Sequence, residues 1–231
     1  MIYLPASKDV ERYIKKENLY KYLQIPDNQN ISPEISDKIE NSGLLFSELI
    51  EPYVVFREFT DFECRHNAVI LADTCNIKSV VLSGLATKAN SVFVCIVTIG
   101  ELLEKKVASL ISEGAYFMAQ IADAFGSVLV EATLDMFIAT TEGIISEDGY
   151  LLSALYSPGY CDIDISEQEK IFGILHCDNS RVQLNESFEM YPEKSISGLL
   201  FKMKKDDAIK YKKYFVHCSE CNNRLCKYFK K

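Results

Sequence analysis

The sequence lacks the features that mark membrane proteins and several large enzyme classes. No apolar run approaches the roughly 18 residues that a membrane-spanning helix needs, so no membrane association is predicted. A Ser/His/Asp arrangement, an H-E-x-x-H metal motif, a phosphate-binding P-loop and a G-x-G-x-x-G turn are missing, and His66 and His176 are isolated. Hydrolase, kinase and dinucleotide-dependent dehydrogenase activities are therefore disfavoured.

The N-terminus also lacks the layout of a signal peptide, in which basic residues precede an apolar stretch. We therefore predict a cytoplasmic protein. Its eight cysteines are then expected to form no disulfide framework, because the compartment is reducing. The chain of 231 residues, of which 48% are hydrophobic, is long enough to bury a sizeable core without one.

Charge is unevenly distributed along the chain. Residues 202–231 contain ten Lys/Arg and three Asp/Glu, a net charge of +7, and because the whole chain carries −8 the other residues carry −15. The basic segment is either a solvated surface or a site for an anionic ligand or an acidic protein partner. Nucleic acid is not an expected partner, because the acidic remainder of the chain would repel a phosphate backbone.

Hydrophobic periodicity predicts strands mixed with long helices, which is typical of an α+β (mixed α/β) fold. The nearly continuous apolar run at 92–99 is expected to be a central strand, buried on both faces. Further strands are predicted at 53–59, 69–71, 79–82 and 195–201, and helices at 8–24, 33–50, about 99–113 and 116–141. We divide the chain into an N-terminal helical extension (1–50), a core (51–201) and a basic C-terminal tail (202–231).

Two local features refine the helices. Thr98 and Glu101 are three residues apart, the spacing of a capping box in which each side chain satisfies the backbone N–H of the other residue. Gly126 lies inside the helix predicted at 116–141, where glycine costs roughly 1 kcal/mol relative to alanine. Its presence there predicts close packing against a helix or the sheet.

Residues 151–165 form the longest stretch with loop chemistry at its centre. The segment 156–160 reads YSPGY, in which Pro158 fixes one backbone angle and Gly159 permits conformations that other residues do not reach. A turn with so little side chain leaves backbone N–H and C=O groups open to a ligand. Pro-Gly turns are nevertheless common in proteins, so this turn is also compatible with a purely structural role.

Alternation along 181–190 predicts a strand, and with the strand at 195–201 it predicts a β-hairpin. Glu186 would then lie in the middle of an apolar face, where a carboxylate needs a partner. That partner is a backbone turn, a basic side chain or a ligand amine, and in the structural reading Glu186 would hold the 158–159 turn in place. Gly198 within the second strand marks either a bulge or a close approach of backbone or ligand.

A cluster of cysteines near the C-terminus is the clearest candidate for a metal site. Cys218, Cys221 and Cys226 lie within nine residues, with His217 beside them as a possible fourth ligand. Such a group can hold zinc or an iron–sulfur cluster. The second cysteine pair of a common zinc site is missing, so the alternative is a set of reduced thiols.

Three segments carry a family resemblance: YSPGY at 156–160, LNESFEMYP at 184–192 and SISGLLF at 195–201. In this order and spacing they resemble the reactivation (activation) domain of cobalamin-dependent methionine synthase, in its compact stand-alone form. The segments TIGEL at 98–102 and DAFGS at 123–127 extend the resemblance upstream.

The resemblance implies a fold, a cofactor and a site. The fold would be a twisted, largely antiparallel sheet flanked by long helices, and the cofactor would be S-adenosylmethionine. Ser157, Gly159 and Tyr160 would line the S-adenosylmethionine groove, and Glu186 and Ser187 would support it. Cobalamin would be carried by a partner, a corrinoid-binding methyltransferase subunit, and a flavodoxin- or ferredoxin-type protein would donate electrons.

The sequence departs from the family pattern beside the turn. The family has an arginine four positions before the glycine, expected to bind the carboxylate of S-adenosylmethionine, and Leu155 stands there. Losing a charged hydrogen bond of about 1.5–3 kcal/mol would weaken binding roughly ten- to a hundred-fold. Asp162 and Asp164 would repel a carboxylate if they faced the site, whereas a lysine of the basic tail would restore a cation.

Three functional hypotheses follow. The first is a reactivation-domain-like protein that supports S-adenosylmethionine-dependent reductive remethylation of a corrinoid methyltransferase. The cobalt of the corrinoid would be the nucleophile, so no side-chain base is required. The second is a non-enzymatic docking protein for a corrinoid protein that has lost S-adenosylmethionine binding, which Leu155 favours. The third is a metal or redox module built on the C-terminal cysteines.

Overall fold

The computed structural model describes residues 1–25, 31–176 and 181–212. The strands are β1 (Ile2–Tyr3), β2 (Tyr53–Phe59), β3 (Phe62–Arg65), β4 (Ala68–Leu71), β5 (Cys75–Lys78), β6 (Ala89–Thr98), β7 (Tyr150–Leu152), β8 (Gln183–Leu184), β9 (Met190–Tyr191) and β10 (Ser195–Lys204). The helices are α1 (Ser7–Val10), α2 (Lys16–Tyr22), α3 (Pro33–Ser47), α4 (Val80–Ala86), α5 (Leu102–Ser112), α6 (Tyr116–Ile145), α7 (Glu167–Leu175) and α8 (Lys205–Lys210). Among these described residues, no helix combines the length and apolarity needed to cross a membrane.

The main sheet is antiparallel, with five strands in the order β1-β2-β6-β10-β7. Smaller sheets join β3, β4 and β5, and β8 with β9. The central position predicted for the apolar run at 92–99 is confirmed, because β6 pairs with a strand on each side and is buried from Ser91 to Thr98. The predicted mixed α/β fold, with a largely antiparallel sheet flanked by long helices, is also confirmed.

Alternate residues of β6 face two separate hydrophobic cores. Phe93, Cys95 and Val97 belong to the first core, which α3, α5 and α6 cover. Val92, Val94 and Ile96 belong to the second core, which α4 and α7 cover. Because side chains alternate across a strand, a sheet covered on both faces requires a nearly unbroken apolar strand, and β6 meets that requirement.

The N-terminal segments pack into the first core through Val10, Leu19, Ile39 and Phe46. The continuous helix predicted at 8–24 is wrong: α1 passes into a short 3-10 helix, Glu11–Tyr13, and α2 begins only at Lys16. The start predicted for the next helix is confirmed, because the Ser32 hydroxyl accepts the N–H of Ile35 at 3.4 Å.

Two further predictions are wrong, one of a strand and one of a helix start. Residues 79–82 are not a strand, because the Ser79 hydroxyl accepts the N–H of Leu82 at 3.0 Å and so caps α4. The capping box of Thr98 and Glu101 does not form. The Thr98 hydroxyl instead accepts the N–H of Gly100 at 3.1 Å, and α5 begins at Leu102.

The predicted strand at 195–201 is confirmed as β10, but its predicted partner is wrong. β10 lies between β6 and β7 rather than beside residues 181–190. Those residues do not form one strand either. Only β8 and β9 are extended, and they pair with each other as a small hairpin, Gln183 with Tyr191 and Leu184 with Met190.

Candidate functional site

The segment with the YSPGY sequence lies directly against β10. Tyr156 and Leu199 each donate a backbone N–H to the carbonyl oxygen of the other residue, both at 2.9 Å. A Cβ atom on Gly198 would lie 2.4 Å from the carbonyl oxygen of Tyr156, which is far inside van der Waals contact. Of the two roles considered for Gly198, the structure supports the close approach of backbone.

Beyond Tyr156 the chain makes a tight turn that uses its own amides. Gly159 has a φ of +85°, in the region that favours glycine. Its N–H donates to the carbonyl of Ile163 at 2.9 Å, and the N–H of Tyr160 donates to Ser157 at 3.2 Å. These two N–H groups are therefore engaged within the turn and not open to a ligand, which contradicts that part of the prediction. The turn presents instead the Tyr160 side chain, which is 54% exposed, and the half-buried Ser157.

The two aspartates that follow the turn hold helix starts. Asp162 accepts the hydroxyl of Ser79 at 2.5 Å and the N–H of Val80 at 2.6 Å, so it ties the turn to the first turn of α4. Asp164 accepts the N–H and the hydroxyl of Ser166, at 2.9 and 2.6 Å, and these bonds lower its pKa. Both carboxylates are thus engaged in local structure.

We expect Asp162→Ala to lower the free energy of unfolding by about 1 kcal/mol, because the orphan N–H of a helix start loses its acceptor. Urea denaturation followed by circular dichroism measures the change. Asp61→Ala is the control: it removes an exposed carboxylate in the turn between β2 and β3, and should change stability by less than about 0.5 kcal/mol. Equal effects of the two variants would count against a capping role.

Leu155 packs into the first core and is 1% exposed, whereas its neighbours Ala154 and Tyr156 pack into the second core. Its Cγ atom lies 3.0 Å from the position that a Cβ on Gly198 would take. The residue in the position of the family arginine is therefore part of the hydrophobic interior.

The prediction that Glu186 lies in an apolar face is wrong, because Glu186 and Ser187 are both exposed. They occupy the tip of the β8–β9 hairpin. The side-chain oxygen of Asn185 accepts the N–H groups of Ser187 and Glu189, each at 2.9 Å, which closes the tip. The structure thus gathers Ser157, Gly159 and Tyr160 in one turn and places Glu186 and Ser187 in another.

A polar groove of about 450 Å³ opens where β6 ends. Polar and charged side chains from three parts of the chain converge on it, together with Gly100 and Pro192. We call this the β6 groove, and its lining residues are Glu51, Thr98, Gly100, Glu101, Arg181, Gln183, Tyr191 and Pro192.

Glu101 is the centre of a hydrogen-bonded group in the β6 groove. It accepts Lys105 Nζ at 2.5 Å and the Tyr191 hydroxyl at 3.0 Å. The bond from Lys105, and then that from Tyr191, lower the pKa of Glu101, while the same carboxylate raises the pKa of Tyr191. Glu101 is therefore held as a carboxylate, and Tyr191 is held as a neutral phenol.

A cation and an anion also line the β6 groove. Arg181 lies 4.0 Å from Glu51, and its guanidinium stands over the Tyr53 ring, 5.7 Å from the ring centroid. Glu51 lies against Gly100, where a Cβ atom would be 3.2 Å from the Glu51 Cβ. Gly100 has a φ of +76°, which glycine adopts without backbone strain, and its lack of a side chain leaves the space beside Glu51 unfilled.

The DAFGS segment at 123–127 anchors the strand that leads out of the groove. Lys194 Nζ lies 2.6 Å from Asp123 Oδ1 and 3.1 Å from Ser127 Oγ, and its side chain is 14% exposed. The aliphatic part of Lys194 crosses Gly126, where a Cβ atom would be only 3.1 Å away. Leu103 of α5 lies 3.2 Å from the same Cβ position, so the close packing against a helix that was predicted at Gly126 is confirmed.

The turn and the β6 groove lie at the same end of the main sheet. Thr98, the last residue of β6, pairs with Tyr53 of β2 and with Ser195 of β10. The chain that follows Tyr156 runs antiparallel to β10 and so heads toward Ser195. The turn and the groove therefore flank β10 on opposite sides.

Sequence reasoning named the turn residues as site residues but missed those of the β6 groove. A signal existed in the TIGEL segment, because a glycine directly after a buried strand marks a place where the backbone stays uncovered. Arg181 and Gln183 gave no comparable signal. They reach the groove only through the β8–β9 hairpin, which the pattern at 181–190 did not predict.

Within residues 1–25, 31–176 and 181–212, no group of three or more His, Cys, Asp or Glu side chains is placed to hold a metal ion. The predicted ligands Cys218, Cys221 and Cys226 lie outside the described residues, as does most of the basic tail. The zinc or iron–sulfur site there stays a prediction.

Comparison with known proteins places the chain among its relatives. No match was found among curated proteins. A crystal structure described as the MetH reactivation domain bound to AdoHcy has a similar fold, with a TM-score of 0.69 and 14% identity over 91% of this chain and 83% of that one. A family model described as vitamin B12 dependent methionine synthase, activation domain, matches residues 86–217, which is more than half of the sequence. The chain therefore belongs to the activation-domain family of vitamin B12-dependent methionine synthases.

Proposed function

We propose that this protein is a reactivation-domain-like component that supports S-adenosylmethionine-dependent reductive remethylation of a corrinoid methyltransferase. The observation that carries the proposal is the family match, which spans the YSPGY turn, α5, α6 and β10. The similarity in fold to a reactivation domain that binds AdoHcy supports it. AdoHcy is S-adenosylmethionine without its transferable methyl group, so the same ligand chemistry is expected here.

The residues present fit a ligand of this kind. The β6 groove offers a cation at Arg181 and carboxylates at Glu51 and Glu101, which suit a ligand with an amino-acid end. The exposed Tyr160 ring offers an aromatic face for a base at the same end of the sheet. When bound, S-adenosylmethionine would supply an electrophilic methyl group. The protein's own part is to bind and orient it, which requires no side-chain base.

The other components of the reaction are proposed from the family alone. A separate corrinoid-binding methyltransferase subunit would carry the cobalamin, and a flavodoxin- or ferredoxin-type protein would donate the electron. The cytoplasmic location also stays a prediction of the sequence.

Isothermal titration of the purified protein with S-adenosylmethionine tests the proposal. We expect saturable binding with a dissociation constant in roughly the micromolar range. ATP is the control ligand, because it shares the adenosine but has a triphosphate where S-adenosylmethionine has a zwitterionic amino acid. Absence of saturable heat with S-adenosylmethionine, from protein shown to be folded by circular dichroism, would contradict the proposal.

A second function is favoured by one observation. Leu155 is buried in the first core, so the turn has no cation at the position where the family has arginine. A docking protein that recognises a corrinoid-binding subunit but has lost S-adenosylmethionine binding would show this feature. Such a protein would give no heat in the titration above and would still form a complex with a corrinoid-binding methionine synthase fragment in size-exclusion chromatography.

A further inference from the structure

We propose that the β6 groove binds the α-amino-acid end of the S-adenosyl ligand, with Arg181 holding its carboxylate and Glu51 its ammonium group. This inference rests on the proposed function and adds to it a specific pair of residues. The turn and its flanking residues, 151–166, contain neither lysine nor arginine. A ligand carboxylate bound near the turn must therefore find its cation on another element.

Two lysines near the end of β6 already have a short contact with an acid. Lys194 Nζ is 2.6 Å from Asp123 and largely buried, and Lys105 Nζ is 2.5 Å from Glu101. Arg181 differs, because its contact with Glu51 is 4.0 Å, which is longer than a hydrogen bond. Its side chain is 48% exposed and lines the groove. Among the described residues that line the groove, Arg181 is the one cation, so it is placed to receive a ligand carboxylate.

The position of Arg181 suits a carboxylate in a second way. Its guanidinium stands over the Tyr53 ring, and Tyr53 is itself 4% exposed and fixed in β2. A planar guanidinium resting on a fixed ring is held in orientation, and its edge can then donate two parallel hydrogen bonds to a carboxylate. A lysine at the same place would offer a point charge without this geometry.

Glu51 is the matching partner for the ammonium group. The other carboxylate of the groove, Glu101, is already compensated by Lys105 and Tyr191. The Glu51 side chain is 57% exposed, and its Oε2 atom lies 3.4 Å from the place where a Gly100 side chain would begin, so the glycine leaves the space beside it unfilled. A zwitterion entering the groove would replace one long contact between Arg181 and Glu51 with two short ones.

The dimensions also agree with an S-adenosyl ligand. A volume of about 450 Å³ leaves room for the amino-acid end of such a ligand. The end of β6 and the segment after Tyr156 are separated by β10, which at about 4.8 Å per strand spacing gives roughly 10 Å across the sheet. The amino-acid end can therefore lie in the groove while the adenosine end extends toward Tyr160.

Two ligands that differ in whether they carry the α-amino-acid end test the inference. S-adenosylhomocysteine carries the α-amino-acid end, whereas 5′-methylthioadenosine has the same thioether and adenosine without it. We expect Arg181→Gln to weaken binding of S-adenosylhomocysteine about ten- to a hundred-fold and to leave binding of methylthioadenosine unchanged. Calorimetric titration of both ligands gives the four dissociation constants, and melting temperatures establish that each variant is folded.

Arg57→Gln is the matched control, because Arg57 also stands over an aromatic ring, Phe59 at 4.7 Å, but does not line the groove. It should bind both ligands as the wild type does. Glu51→Gln is the second variant and should also weaken only S-adenosylhomocysteine. Unchanged binding of S-adenosylhomocysteine by Arg181→Gln overturns this inference and leaves the proposed function standing. A wild-type protein that binds neither ligand overturns the proposed function and this inference together.

Discussion

Replacing Leu155 by arginine is expected to lower the free energy of unfolding by about 3–5 kcal/mol, because it puts an uncompensated charge into a hydrophobic core. Leu155 is 1% exposed and packs in the first core, so an arginine there has no short path to water. Chemical denaturation in urea measures the loss, which is a large fraction of the roughly 5–15 kcal/mol that stabilises ordinary domains. Introducing the family arginine at this single position should therefore not strengthen the binding of S-adenosylmethionine.

Leu155→Met is the matched control for the arginine variant. Methionine has nearly the volume of leucine and no charge, so it should cost less than about 1.5 kcal/mol. An arginine variant that is as stable as the methionine variant, and that binds S-adenosylhomocysteine more tightly than the wild type, would contradict the expectation. It would mean that position 155 reaches the ligand site from its place beside β10.

Gly198→Ala is expected to destabilise the protein by about 3 kcal/mol, the upper part of the usual range for overpacking. The new methyl group would meet the carbonyl oxygen of Tyr156 at 2.4 Å and its carbonyl carbon at 2.9 Å. Both are backbone atoms, so relief requires the YSPGY segment to move away from β10. Urea denaturation measures the stability change, and weaker binding of S-adenosylmethionine would report the displaced turn.

Gly84→Ala and Gly173→Ala are the controls for this prediction. They lie in α4 and α7, where a Cβ atom would find nothing within 4 Å. Alanine should stabilise each helix by up to about 1 kcal/mol, since glycine is the poorer helix former. If Gly198→Ala behaved like these two, the close contact between Tyr156 and β10 would not limit the residue at position 198.

The parts of the fold that sequence reasoning predicted are those with strong local patterns. The unbroken apolar run of β6 indicated a strand covered on both faces, and the helical repeat of α6 indicated a long helix. Gly126 indicated close packing, which Lys194 provides. In each case the pattern that carries the prediction lies within one helix or one strand.

Predictions failed where hydrogen bonds from a side chain to the backbone, from a distant or a nearby residue, decide the local structure. Residues 79–82 resemble a strand by composition, but Asp162, 83 residues after Ser79, helps to start a helix there. The alternation at 181–190 was a correct reading of apolar spacing, yet Asn185 binds two backbone amides and folds the segment into a hairpin. Such side-chain bonds to the backbone compete with strand pairing and override the period-2 pattern.

The candidate site also has one part that local sequence predicted and one part that it did not. The turn at 157–160 was found because its sequence is distinctive. The β6 groove was not found, because Glu51, Gly100 and Arg181 become neighbours only through the pairing of β2 with β6 and the position of the β8–β9 hairpin. No spacing in the sequence records that proximity.

The pairing of β2 with β6 also limits how short a working form of this protein can be. The family match begins at residue 86, but β2 covers one side of β6 from Tyr53 to Phe59. A fragment of residues 86–217 would keep the whole match and lose that cover. Its central strand would become a long, flat, apolar edge with unpaired N–H and C=O groups, a template for strand addition from other molecules. Such a fragment should aggregate, and it would also lack Glu51, one wall of the groove.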